Sequence, residues 1–412
     1  MYIYRTSEWK KVPPPSGWTW DLPFDIQKRG RKFRPDPTWD ISAQVSRTGG
    51  NYYVSKTGND TTGNGLSWET SWKTLVKAST ALTNIDNACL YVGAGRYGWN
   101  EAGTSFNLTR NKSIIGVGQV VIDNALPLTW TLTSGRQYTY EATYAGPAGA
   151  VVDWNHLNDD GTPIRYDQKT TINDVEATAG SYMTTSNSPW VTYVHTLDNN
   201  TPNSDVRPVF AGTWTMGTNA TNIYLENLIF IQQRLVINAS LGTSTLYMKN
   251  CRVLYSYISF TGNTAYFRDC LYRGYITSDS AQMDLVGGSG HKLVEIDCEG
   301  SYAGGINYFG SNATTNHTNG QNVIINGEYH HTYGPPIGFI LNGKCWLLGT
   351  YSHDNLATSQ NYYSFQLEES VVYLDCCRSS GSVRDIGNSN ANPVYVRNFI
   401  GSSTNNGPVS NY

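Results

Sequence analysis

Charge is scarce in this 412-residue chain: Asp, Glu, Lys and Arg together make up 15%, against roughly 25% in an average soluble protein. The formal net charge is −3 and, away from the N-terminus, no long run of one sign occurs, so there is no electrostatic case for a nucleic-acid partner. Long apolar runs are missing as well. No segment approaches the ~18 apolar residues of a membrane span, and Lys10, Lys11 and Pro13-Pro14-Pro15 stand where a signal peptide needs an unbroken apolar stretch. Neither a membrane partner nor an export leader is expected. The seven cysteines are an odd number with no CxxC pair, which argues against a disulfide framework and a structural zinc site. Reduced core thiols, in a protein made in a cytosol, fit this pattern. What is abundant is Gly (40 residues), Asn, Ser and Thr, so turn formers dominate over helix formers.

An internal repeat organises the second half of the chain. The segments Ile223 to Asn227, Leu246 to Asn250, Ala265 to Asp269 and Leu293 to Asp297 share one form, which returns at Val323 to Gly327, Cys345 to Gly349, Val371 to Asp375 and Val394 to Asn398. Unit ends are 23, 19, 28, 30, 22, 26 and 23 residues apart, a period that marks a solenoid, and the β-branched and aromatic content makes each unit a strand. Each closing residue is Asn, Asp or Gly, the types that tolerate the left-handed backbone of a tight corner. The next positions read Leu228, Cys251, Cys270, Cys298, Glu328, Thr350, Cys376 and Phe399, and these should point inward and stack. Glu328 breaks the series; a corner at Asn326 would turn it outward.

Upstream, Tyr52-Tyr53-Val54-Ser55, Gly58-Asn59-Asp60 and Ser67-Trp68 precede the segment Ser71 to Leu82, whose Trp72, Leu75, Val76 and Leu82 suit a short amphipathic helix plugging the first coil. With Thr74 to Ala78, Tyr91 to Gly95, Ser113 to Gly118 and Val121-Ile122-Asp123, this part resembles the N-terminal cap and early coils of pectate-lyase-like right-handed parallel β-helix proteins. Together with the repeats, the resemblance covers residues 50–125 and 215–405. It implies an all-β solenoid with an N-terminal capping helix and a carbohydrate substrate. It supplies no catalytic residues, because no Gly-His-Gly or other intact catalytic signature of pectate lyases or polygalacturonases is present.

Four regions follow: residues 1–45, a cap with first coils over 46–125, an inserted β-rich module over 126–214, and the main β-helix over 215–412. The insertion loses the repeat and carries the turn signal Asn158-Asp159-Asp160-Gly161-Thr162-Pro163. Residues 1–45 hold six of the sixteen prolines, four of the twelve tryptophans and the cluster Lys28, Arg29, Arg31, Lys32, Arg34. Such a segment cannot bury a core of its own. In phage tail spikes, which this architecture resembles, a short N-terminal piece attaches the β-helix to the particle. Trp9, Trp18, Trp20, Arg29, Arg31 and Arg34 are therefore the candidate particle-anchoring residues.

Equivalent positions on neighbouring coils lie close together, so a β-helix can hold two carboxylates at the ~5–9 Å separations used by glycosidases. The stretches 275–290, 301–321, 329–344 and 352–370 read as long loops that gather into one wall. Within them Asp284, Asp354 and Glu368 are candidate acid and base, and His317 or the pair His330-His331 could abstract a proton in a lyase reaction. Solvated loop carboxylates and turn histidines are the commoner outcome for such residues. Asp269, Asp297 and Asp375 are corner residues, not catalytic candidates. Twenty-nine tyrosines and twelve tryptophans exceed what a slender coil interior holds, and flat rings with a polar edge suit sugar faces. Tyr308, Tyr333, Tyr362, Tyr363 and His331 are the candidate glycan contacts, whereas Tyr224, Tyr247, Tyr266, Tyr373 and Tyr395 ladder along the stack. Glu368-Glu369 lacks the spacing of a calcium loop, so no metal and no cofactor is expected.

These observations favour a homotrimeric bacteriophage tail spike that binds, and in one form depolymerises, a bacterial surface polysaccharide. It would be assembled in the host cytoplasm, located on the virion and docked on a virion protein through residues 1–45. Trimerisation comes from the resemblance alone. A binding-only or structural virion protein is the alternative, and a free polysaccharide lyase or hydrolase is a second.

Overall fold

The computed structural model describes the chain except residues 1–7, 104, 145, 147, 210–214, 217–218, 232–233, 238–242, 275–282, 286–289, 305–311, 317–318, 340–342, 357–362, 368–369, 388–392, 402–403, 407–408 and 412. Only the backbone is described at 216, 234–236, 257, 283–285, 316, 404–406, 409 and 411.

The repeat folds as a parallel β-solenoid. One coil runs through the strands Thr245–Lys249, Arg252–Leu254 and Tyr257–Phe260, and each strand pairs in register with its counterpart on the next coil. Three parallel sheets result. The corner between the first and second sheets is a column of left-handed residues: Asn227, Asn250, Asp269, Asp297, Asn326, Gly349, Cys376 and Asn398. Six of these are the unit ends read from the sequence. The other two shift by one residue, each for a visible reason. At Asn326 the side chain exchanges hydrogen bonds with the Phe33 backbone and donates to Asp297 Oδ1 at 2.9 Å. Gly327 then takes the inward place, where a Cβ would stand 2.6 Å from the Tyr329 ring, and Glu328 turns outward. Asp375 instead ends its strand fully buried, held by Lys28 at 2.9 Å and Arg397 at 2.6 Å, and the corner passes to Cys376. Leu228, Cys251, Cys270, Cys298, Thr350 and Cys377 form the buried inward column, and all seven cysteines are buried and free.

A second corner, unread in the sequence, runs through Tyr255, Gly274, Tyr302, His331, Asp354 and Gly381, again with positive φ. It leads into third-sheet strands such as Met283–Leu285, Thr314–Asn316, Ile337–Phe339 and Tyr363–Leu367. The four long loops expected from the sequence are therefore partly sheet.

At the N-terminal end, the helix Leu75–Ala81 starts at Thr74, whose side chain accepts from Lys77 N. Trp72, Leu75, Ala78 and Leu82 close the first coil against Val54, Leu90 and Ile114, while Val76 faces outward instead of into the core. The core alternates along each first-sheet strand: Leu246 and Met248 point in, Tyr247 and Lys249 out. One inward position is occupied by an acid. Glu295 is fully buried, with Oε2 accepting from Thr314 Oγ1 at 2.9 Å.

Residues 10–45 are not left without a core, because the solenoid's own flank provides one. Lys10–Val12, Ile26–Arg29 and Lys32–Pro35 form an antiparallel sheet. Val12, Trp20, Phe24, Ile26, Phe33 and Trp39 bury against the outward residues of the first sheet, among them Tyr266, Val294, Val323 and Trp346. Trp20 lies 6.4 Å from Tyr266 and Trp18 5.8 Å from Trp346, ring centre to ring centre. The expected tyrosine ladder lies beneath this strap, with Tyr247 on Tyr266 at 5.3 Å and Tyr373 on Tyr395 at 4.9 Å. Ordering of this segment therefore needs no second chain. Trp9 sits between Arg29 and Arg34 at 4.8 and 4.1 Å, Arg34 donates to Gln27, and Arg31 donates to the Asn398 carbonyl at 2.9 Å.

The insertion contains a five-stranded sheet and a three-stranded sheet around Trp130, Tyr166, Tyr182 and Val194. Ala150, Val152 and Val209 bury on Val121, Ile229, Ile231 and Leu254, the outer face of the second sheet in the early coils. Under this contact Asp123 is fully buried, bonded to Ala125 N and Trp154 Nε1, with Arg207 3.8 Å and Arg96 3.9 Å away. Burial raises its pKa to about 6 against the pull of those partners.

Candidate functional site

Past the insertion, the outer face of the second sheet is uncovered. Its strands are three residues long, so each coil presents its first and third residues outward. The first position reads Leu271, Glu299, Glu328, Tyr351 and Arg378 down the stack, and the third reads Arg273, Ser301, His330, His353 and Ser380. Apolar residues under the insertion give way to charged and ring-bearing ones beyond it.

The turn predicted at Asn158 to Pro163 leans over this face. Asp160 caps the turn by accepting from Thr162 and reaches across to Arg273 at 3.2 Å and Arg252 at 3.4 Å. Between turn and sheet lies a cleft of about 510 Å³, lined by Asp159, Asp160, Arg165, Arg273, Tyr302 and His330 among others, a volume within the usual range of ligand sites. Tyr302 is 43% exposed. Its corner conformation, unusual for a bulky residue, holds the ring flat against His331 at 5.1 Å.

Imidazoles dominate the floor. His330 Nε2 faces Glu299 Oε1 at 3.3 Å, and its Nδ1 lies 2.6 Å from His331 Nδ1, so one ring donates and the other accepts. Burial and the neighbouring His330 lower the His331 pKa, which suits His331 to the neutral, accepting role. The Glu299 pKa is lowered by the His330 hydrogen bond. Desolvation pushes the Asp160 pKa up, yet the Thr162 hydrogen bonds and the two arginines outweigh it and leave the value lowered. His353 stacks on His330 at 4.9 Å and places Nε2 3.0 Å from Glu328 and Nδ1 2.8 Å from Asp354. Tyr351 stacks on His353 at 4.2 Å, and Arg378 covers Tyr351 at 4.2 Å. The result is a row of flat groups beside fixed carboxylates. Asp160 and Glu299, with their lowered pKa values, are not poised as neutral general acids, whereas the floor imidazoles can donate or accept a proton. Among the described residues, no group of His, Cys, Asp and Glu is arranged to hold a metal ion.

Few of the residues singled out from the sequence meet here. His331 does. Asp354 lies one coil further along, as an exposed corner residue whose carboxylate is bonded to His353 and has a lowered pKa, against the role of general acid. Tyr333 is half-buried, with its backbone N–H on Ala303 O at 2.8 Å. Tyr363 is a third-sheet strand residue whose hydroxyl accepts from Arg384 at 3.2 Å, on a different side of the solenoid. Asp284 belongs to a third-sheet strand and not to a loop, with its side chain outside the described residues. Tyr308, His317, Tyr362 and Glu368 lie outside the described residues. Sequence reasoning passed over Asp160, Arg273, Glu299, Tyr302, His353 and Tyr351. The signal that finds most of them is their constant offset from the first corner.

No family model and no curated protein matches the chain. Among solved structures, the GH136 lacto-N-biosidase from Eubacterium ramulus superposes with a TM-score of 0.39 at 10% identity, over 88% of this chain and 68% of that one.

Proposed function

We propose that this β-solenoid binds a bacterial surface polysaccharide in the cleft between the inserted module and the second sheet. The observation that carries the reading is the uncovered face itself: Tyr302, His330, His331, His353 and Tyr351 set flat rings along one side, flanked by carboxylates and arginines at hydrogen-bonding reach. A pyranose ring can stack on the outer side of exposed Tyr302, while its hydroxyls bond to the edges of the stacked imidazoles and to the charged neighbours. Purified protein should retain capsule or lipopolysaccharide, and Tyr302→Ala should weaken retention roughly tenfold, the ~1–1.5 kcal/mol of one aromatic stack. Equal retention by the variant would sink the reading.

Cleavage of the bound chain is a second reading, favoured by the array Glu299, His330, His331. Here Glu299 holds His330, His330 donates to His331 Nδ1, and neutral His331 therefore carries its proton on Nε2, from which it can pass to the departing glycosidic oxygen as Nδ1 takes the proton of His330. Shortening of the glycan by the protein, lost in His331→Gln while retention persists, supports turnover. Unchanged chain length leaves a binding protein.

The finer assignment, to a trimeric tail spike on a bacteriophage particle, is supported by the sequence resemblance. Residues 1–45 would then carry the virion contact in addition to covering the first sheet. Light scattering of the purified chain tests it: a trimer mass agrees, and a monomer at micromolar concentration does not.

A further inference from the structure

A second cleft, of about 420 Å³, opens on the opposite edge of the same sheet, between the second-sheet strands and the turn of the N-terminal hairpin; Arg31, Lys32, Glu328, Tyr351 and Arg378 are among its walls. The two clefts share a floor. Glu328 lines the second and bonds to His353, and the His353 ring lies against His330, which lines the first. From the Arg273 rung to the Arg378 rung there are four coil steps, or about 19 Å of uninterrupted face.

The far end is basic. Arg31 uses one nitrogen on the Asn398 carbonyl, and among the described residues neither Lys32 nor Arg378 forms an ion pair. The two acids nearby are occupied: Glu328 by His353, and Asp297 by the amide of Asn326. Such cations recognise carboxylate, sulfate or phosphate oxygens.

We propose that the two clefts are the ends of one groove, which takes an acidic glycan chain lengthwise and seats an anionic substituent against Arg31, Lys32 and Arg378. The N-terminal segment is then a wall of the binding site as well as a cover for the first sheet. This rests on the glycan reading of the first cleft and adds to it a direction, a length and a charge.

The test uses the full chain at 0.15 M salt, in affinity electrophoresis through hyaluronan, alginate, carboxymethyl dextran and neutral dextran, with a single-stranded oligonucleotide as a further probe. At least one acidic glycan should retard the protein more than dextran or the oligonucleotide. The double change Arg31→Glu, Lys32→Glu should cut that retardation at least fivefold, and Tyr302→Ala, at the other end, should reduce it too. Both hairpin residues are exposed, so the fold should tolerate their reversal; an unchanged thermal midpoint verifies this, and Lys32→Ala gives a milder second variant. Dextran bound as well as the acidic glycans, with only Tyr302→Ala weakening both, overturns the groove and leaves the cleft reading intact. Weakening by the hairpin change alone, with Tyr302→Ala silent, overturns both. Stronger retardation by the oligonucleotide than by any glycan, or by no acidic glycan at all, also overturns the proposal.

Discussion

The buried Glu295 gives a prediction that depends only on the solenoid interior. Its carboxyl is fully enclosed, and the hydroxyls of Thr314 and Tyr329 beside it oppose the effect of burial without cancelling it. Burial raises its pKa from 4.5 to about 7. In the unfolded chain the group ionises near 4.5, whereas in the folded chain it keeps its proton until about 7. Stability is therefore full below pH ~4.5, falls as pH rises through the window to ~7, and is flat above it. The interval between 4.5 and about 7 corresponds to roughly 3 kcal/mol. Asp123, also raised, slopes the wild-type curve in the same direction, so the informative quantity is the difference between wild type and Glu295→Gln. Urea unfolding from pH 4 to 8 should show the variant gaining on wild type by roughly 3 kcal/mol across the window. Parallel curves would mean that Glu295 is solvated or paired in the folded state, and the enclosed-acid argument would fail.

Three further outcomes follow from the packing. Asn250, at φ 49°, donates to Asn227 on the preceding coil at 2.7 Å; Asn250→Val should lose about 1–3 kcal/mol by thermal unfolding, and Asn250→Gly much less. Trp20 is 5% exposed between the strap and Tyr266, so Trp20→Ala should cost about 3–5 kcal/mol and increase binding of a hydrophobic dye; an unaltered melting temperature would show that the strap is not docked. Asp160→Ala removes the carboxylate that Arg273 and Arg252 reach and should speed hydrogen exchange in the Asn158 to Thr162 turn; unchanged exchange would show that the turn is held by other contacts.

The solenoid was legible because its corners impose a backbone rule: only a few residue types accept positive φ, so Asn and Asp recur at 227, 250, 269 and 297. The rule bends where something else satisfies the chain, as at Cys376, where buried Asp375 is committed to Lys28 and Arg397. The second corner escaped notice because two of its members, Tyr255 and Tyr302, are poor left-handed formers, held there by the flanking strands. The third sheet escaped because strands such as Thr314–Asn316 are too short to show a period. The strap's partner was hidden too: tryptophans at 18 and 20 look exposed in a Pro-rich segment until Tyr266 and Trp346, more than 240 residues later, supply the surface they cover. Reading function from the unpatterned stretches favoured Asp354 and Tyr363. The candidate site joins the His330-His331 pair to residues inside the pattern, such as Glu299 and Tyr351, at positions where a strand faces outward and the insertion does not reach.

The most direct measurement is a glycan array of bacterial surface polysaccharides probed with the protein and with Tyr302→Ala and His330→Ala. The account predicts binding by the wild type and a loss of roughly tenfold in each variant, the ~1.4 kcal/mol of one floor contact, with melting temperature unchanged. Equal binding by all three proteins would place the glycan elsewhere on the solenoid and contradict the cleft.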